Sequence, residues 1–277
     1  MAKLDAVSLA GLMMQFGFET LGSCSILNRL SFITPKGGTA LRDSIQSGIT
    51  LTLSLSTVLM EVGVSNAWNF VHIVITDGSD TASKCSHENL ANLFLNIGEK
   101  IPKEKCLTVF IGIDLDDKAI GGLALLTAAG GDNCQCYNIN SVDLDSIFEK
   151  ITAEFIAVRR EIRVGMASAG GVTAIAVAQK DSAIFSLRKT NFAVLLNLDI
   201  SGSMKGARFE SLKGSVSRFL KKLDGNDIVS CLVFNNETKL LQNFKFQPAK
   251  KIARPPPARV NNSSNNSEKK SCCCKFF

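Results

Sequence analysis

Four stretches of this sequence are almost wholly apolar and only seven or eight residues long: 70–76 (FVHIVIT), 106–113 (CLTVFIGI), 192–198 (FAVLLNL) and 228–234 (IVSCLVF). They are too short to cross a bilayer. They also lack the polar-apolar alternation of a strand with one wet face. Runs of this kind are strands buried on both sides. Between them, apolar residues recur at three- and four-residue spacing. Residues 87–99 carry Leu90, Leu93, Phe94 and Ile97 on one side, and 206–223 carry Phe209, Leu212, Val216, Phe219, Leu220 and Leu223. That spacing predicts amphipathic helices. Strands alternating with helices define an α/β fold, a doubly wound and mostly parallel sheet with helices on both faces.

The remaining elements follow from the same signals. A helix is expected over 39–59 after Gly37-Gly38, a short one over 120–129 stopped by Gly130-Gly131, and another over 142–156 with Leu144, Ile147, Phe148, Ile151 and Phe155 inward. A further strand is expected over 134–138. A hairpin partner for 228–234 is expected over 238–244, across the Asn235-Asn236 turn. Residues 159–190, rich in Gly, Ala and Ser, read as a linker or a small hairpin, and 248–277, with Pro255-Pro256-Pro257 and NNSSNNS, as a disordered tail.

The net charge of +6 is concentrated in that tail. From Lys245 onward eight basic residues face only Glu268, so the body of the chain is close to neutral. The tail lacks interleaved aromatics, which argues against nucleic-acid binding. Residues 1–14 make a poor secretory signal, with Lys3 as the one basic residue and Asp5 breaking the apolar stretch. Nine cysteines, an odd number without paired C-x-x-C motifs, fit a reducing compartment, and Cys106 and Cys231 are expected as buried thiols. A cytoplasmic location follows as the expectation.

Ligands of such sheets lie beyond the carboxyl ends of the strands, where strand order reverses. There the sequence places Asp199-Ile200-Ser201-Gly202-Ser203, directly after a buried strand. A carboxylate and two hydroxyls at alternate positions offer oxygen ligands to a hard cation such as Mg2+. The same residue types also serve as helix N-caps. The surrounding VLLNLDISGSMKGARFESLK resembles the opening of a von Willebrand factor type A domain. Gly37-Gly38-Thr39-Ala40-Leu41 is similar to that family's threonine loop, and Ile73-Val74-Ile75-Thr76-Asp77-Gly78 to the strand that delivers a further aspartate. The resemblance implies a metal-ion-dependent adhesion site of Asp199, Ser201, Ser203, Thr39 and Asp77, holding Mg2+ or Mn2+. It further implies an open coordination position that takes an acidic side chain from a partner protein.

The order departs from the family. Residues 37–158 resemble the later part of such a domain, and 191–247 the earlier part, with 1–36 an N-terminal segment. Three origins are open: one circularly permuted domain, two truncated domains whose halves complete each other between chains as a swapped dimer, or a fragmentary gene. The expected function is a divalent-cation-dependent protein-binding module. The alternative is a metal-independent scaffold, or a fragment of a larger tandem protein. An enzyme is not expected. No nucleotide loop or nucleophile elbow is present, and the two histidines, His72 within a strand and His87 near a helix start, supply little acid-base chemistry. At the end of the chain Cys274 stands fourth from last, as in a prenylation box, beside Cys273, Cys272 and three lysines. Lipidation there would anchor the protein to the cytoplasmic face of a membrane.

Overall fold

Residues 11, 13–20, 25–102, 105–140, 143–151, 153 and 191–243 are described by the computed structural model. The elements are β1 (Glu19–Thr20), α1 (Ile26–Leu30), α2 (Leu41–Glu61), β2 (Trp68–Thr76), α3 (His87–Lys100), β3 (Cys106–Ile113), α4 (Asp117–Gly130), β4 (Cys134–Ile139), α5 (helical residues 144–151), β5 (Asn191–Asp199), α6 (Ala207–Lys222), β6 (Ile228–Phe234) and β7 (Thr238–Leu240).

The strands form one sheet in the order β1-β6-β5-β2-β3-β4, with β7 also on β6. The four pairings β6-β5, β5-β2, β2-β3 and β3-β4 are all parallel, and only β1 and β7 run antiparallel to β6. The fold is therefore the mostly parallel, helix-flanked α/β class that the apolar runs predicted. All nine residues of β2 and all seven of β6 are buried, as strands covered on both faces must be.

Alternate residues of each strand feed two separate cores. Val71, Ile73, Ile75, Val194, Leu196, Leu198, Val229 and Val233 pack with α1, α5 and α6 through Leu30, Phe148, Phe209, Leu212, Val216 and Phe219. Phe70, Val74, Phe110 and Phe234 pack on the other face with α2, α3 and α4 through Ile45, Ile49, Leu90, Phe94, Leu123 and Leu126. Each buried Leu, Ile or Phe contributes about 1.5–3 kcal/mol over its exposed state.

β5 lies between β6 and β2, with Val71 opposite Val194 and Ile73 opposite Leu196. The stretches 37–158 and 191–247, read apart in the sequence, thus contribute adjoining blocks of strands, β2-β3-β4 and β5-β6, to a single sheet.

Several boundaries differ from the expectation, the helix expected over 39–59 spanning Leu41–Glu61 and the strand expected over 70–76 starting at Trp68. α4 starts three residues earlier, because the Asp116 carboxylate caps it by accepting from the Ala119 N–H. The strand after Asn235-Asn236 is only three residues long. β7 pairs with Leu232, Val233 and Phe234, while β1 takes the same edge at Ile228 and Val229, and Leu241 turns into the core. The segment before residue 37 is part of the fold: Ile26 and Leu30 of α1 are buried in the first core, Met13 and Phe18 in the second.

Cys106 and Cys231 are buried, and burial pushes the Cys106 thiol up to about 12. The expected linker or hairpin at 159–190 and the tail at 248–277, with Cys272, Cys273 and Cys274, lie outside the described residues. Among the described residues no helix is long and apolar enough to cross a membrane.

Candidate functional site

Strand order reverses between β5 and β2. The chain leaving β5 enters α6 on one face of the sheet, and the chain leaving β2 reaches α3 on the other. The two connections diverge, which opens a crevice at the carboxyl ends of these strands. Asp199 is the last residue of β5, and Asp77 follows the last residue of β2.

Asp199 is fully buried. Its Oδ1 accepts from the Ser201 N–H (2.7 Å) and its Oδ2 from the Thr76 hydroxyl (2.7 Å). Burial strips water from the carboxylate and pushes its pKa up to about 6, against the opposing pull of these hydrogen bonds. The Ser203 hydroxyl donates to Asp77 Oδ1 (2.7 Å) and lies 2.9 Å from the Ser201 hydroxyl. With its one proton on Asp77, Ser203 accepts from Ser201. The hydroxyls and carboxylates thus form a line from Ser201 through Ser203 to Asp77.

Thr39 reaches the same place from the other end of the chain. A Cβ on Gly78 would lie 3.9 Å from the Thr39 Oγ1 and 3.8 Å from the Ser203 Oγ, so both hydroxyls face the turn after β2. The loop carrying Thr39 is stitched to the loop after β5. Gly202 N–H donates to the Gly37 carbonyl (2.9 Å), and Lys36 N–H to that of Ile200 (2.9 Å). The Thr39 N–H donates to the Thr81 hydroxyl (2.9 Å) and its carbonyl accepts from Thr81 N–H (2.9 Å).

The two glycines before Thr39 are needed for different reasons. Gly37 has φ +87°, which L side chains rarely adopt, and a Cβ on Gly38 would come within 2.8 Å of the Asn236 Oδ1 that accepts its N–H.

All five residues singled out in the sequence therefore converge. None of them makes a side-chain cap bond: α2 begins after Ala40, α6 after Gly206 and the 3-10 turn Gly202–Met204 after Ser201, all without one. Among the described residues no group of three or more His, Cys, Asp or Glu could hold a metal. The donor set here is instead two carboxylates and three hydroxyls, all hard oxygens, the chemical kind that suits Mg2+ or Mn2+ more than zinc.

Sequence reasoning missed two charged residues at this site. Arg208 Nη1 donates to Asp77 Oδ2 (3.1 Å), and its Nε to Asp114 Oδ2 (3.3 Å). Asp114 directly follows β3, the next strand along, so its place beyond a buried run was the available signal. His72 is buried within β2, and His87 is exposed at the start of α3 beside Arg42 (3.1 Å).

The sequence matches no protein-family model and no curated protein. A crystal structure of an uncharacterized protein from Alicyclobacillus acidocaldarius is similar at 18% identity, over 63% of this chain and 78% of that one, with a TM-score of 0.42.

Proposed function

We propose that this chain is a divalent-cation-dependent protein-binding module, a von Willebrand factor type A-like domain with its two parts in inverted order. One observation carries the reading. Hydroxyls and carboxylates from loops more than a hundred residues apart in sequence, Thr39 and Asp77 on one side and Asp199, Ser201 and Ser203 on the other, meet in a crevice at the strand-order reversal. The donors fit the ion. Asp199 is a buried carboxylate whose hydrogen-bond partners, Thr76 and Ser201, are neutral, so a nearby cation would offset its desolvation. Asp199, Ser201, Ser203, Thr39 and Asp77 would hold it, directly or through water.

With few anionic ligands, a bound ion stays electrophilic and draws an acidic side chain from a partner. The residues of this chain hold the hydroxyls in register and keep Asp199 away from water.

A second reading, a metal-independent scaffold, is favoured by a different observation: both oxygens of Asp77 and both of Asp199 already accept hydrogen bonds from the protein. Calorimetric titration of the full chain with Mg2+ and Mn2+, beside Asp199→Ala, separates the two. Saturable binding that the variant loses supports the cation site. A folded wild-type chain that binds neither ion leaves the scaffold.

A further inference from the structure

Arg208 reaches the candidate site from the first turn of α6. Its side chain is 37% exposed, yet its guanidinium ends on Asp77, whose side chain is wholly buried. Another edge of the same guanidinium rests on Asp114, itself 30% exposed at the rim. One planar cation thus bridges an inner carboxylate and an outer one. The fork of the guanidinium suits such a bridge, because Nε and Nη1 present separate donors at a fixed angle.

Asp114 is itself held in an unusual state. It is the one non-glycine residue with positive φ (51°) among the described residues, fixed by its N–H donating to the Ile139 carbonyl (2.8 Å). Aspartate tolerates this region better than most residues, but the conformation still carries a cost. That cost places a carboxylate beside Arg208.

We propose that Arg208 is a resident counter-charge that competes with the divalent ion for Asp77, with Asp114 as the position to which the guanidinium retreats when the ion enters. The idea rests on the reading of the crevice as a cation site. Two positive charges cannot share Asp77 without repulsion, so ion entry requires the Arg208–Asp77 contact to loosen. Asp114 lowers the cost of that move, because the guanidinium keeps one carboxylate partner near the solvent edge. The arrangement lowers the ion affinity of the resting protein while protecting a buried carboxylate from standing alone.

Calorimetric titration of the full chain with Mn2+ tests this on wild type, Arg208→Met, Asp114→Asn and Arg218→Met. Arg218 lies on the same helix but pairs with Asp145, so its variant controls for loss of one positive charge. Arg208→Met should bind Mn2+ more tightly by on the order of tenfold, the effect of about 1.4 kcal/mol. Asp114→Asn should bind more weakly than wild type, and Arg218→Met like wild type. Without metal, Arg208→Met should melt below wild type, and saturating Mn2+ should raise its melting temperature by more. Binding by Arg208→Met alone would also support the competition. Wild-type binding with equal or weaker binding by Arg208→Met overturns the counter-charge role and leaves the cation site standing. No binding by any of the four folded proteins removes the cation site itself, and the competition with it.

Discussion

His72 and His87 are the two histidines of the chain, and they sit in opposite environments. His72 lies inside the sheet under α2, with Asn197 Nδ2 at 3.4 Å from its Nε2 and, among the described residues, no hydrogen-bond partner at its Nδ1. Burial lowers its pKa from 6.5 to about 3. The folded value lies below the unfolded one, so the neutral ring's contribution to stability is full above pH 6.5. It is lost as pH falls from there toward 3, at about 1.4 kcal/mol per pH unit. His72→Gln should therefore be less stable than wild type at pH 7, and the gap should close as the pH of urea unfolding is lowered to 4.5. A gap that stays constant would mean the ring is not held neutral. Residue-scale chemistry was legible where a polar group ends an apolar run, as at Asp199, Asp77 and Thr39 after its glycine pair. Arg208 was not legible. Its partners Asp77 and Asp114 are 131 and 94 residues away, and only the β5-β2 and β2-β3 pairings bring the three together.

Helix α2 presents Ser44, Gly48, Thr52 and Ser56 to the sheet, all buried and four residues apart. Two of the hydroxyls turn back to carbonyls, Ser44 to Leu41 (3.0 Å) and Thr52 to Gly48 (3.0 Å), so these polar side chains pack against the sheet with their donors satisfied. Small side chains let the helix lie close over the strands. Gly48 is the tightest point: a Cβ there would come within 2.5 Å of the His72 ring and 3.2 Å of Leu195. On an exposed helix, glycine to alanine stabilises by roughly 1 kcal/mol. Here overpacking reverses the sign, and Gly48→Ala should lose about 1–3 kcal/mol in urea unfolding. A gain would show that α2 stands further from the sheet. The long central strands and the helices behind them were legible because their apolar periods are unambiguous. The short edge of β6 was not, since its division between β1 and β7 is settled by what Leu241 and Phe18 bury, not by local pattern.

At the scale of the molecule, neither stretch is complete without the other. Residues 1–158 contain β2 but lack β5, its neighbour, and lack α6, which covers one face of the sheet. A fragment of that length should show no cooperative transition in urea by circular dichroism, because one edge and much of one core would be bare. A monomeric fragment with a sharp transition would mean that this stretch is a domain in its own right. The α/β class was legible from composition and period alone, whereas the sheet order was not, because nothing local in 191–199 says that this late strand belongs in the middle.

The late arrival of the central strand bears on how the protein is made. On the ribosome, β2, β3 and β4 emerge well before β5, and must wait with an open edge that favours premature association. A chain cut short before residue 199 carries Thr39 and Asp77 but none of the three partners on which they close. Only a chain translated past Ser203 can assemble the crevice, so the closed crevice reports that the central strand has been made.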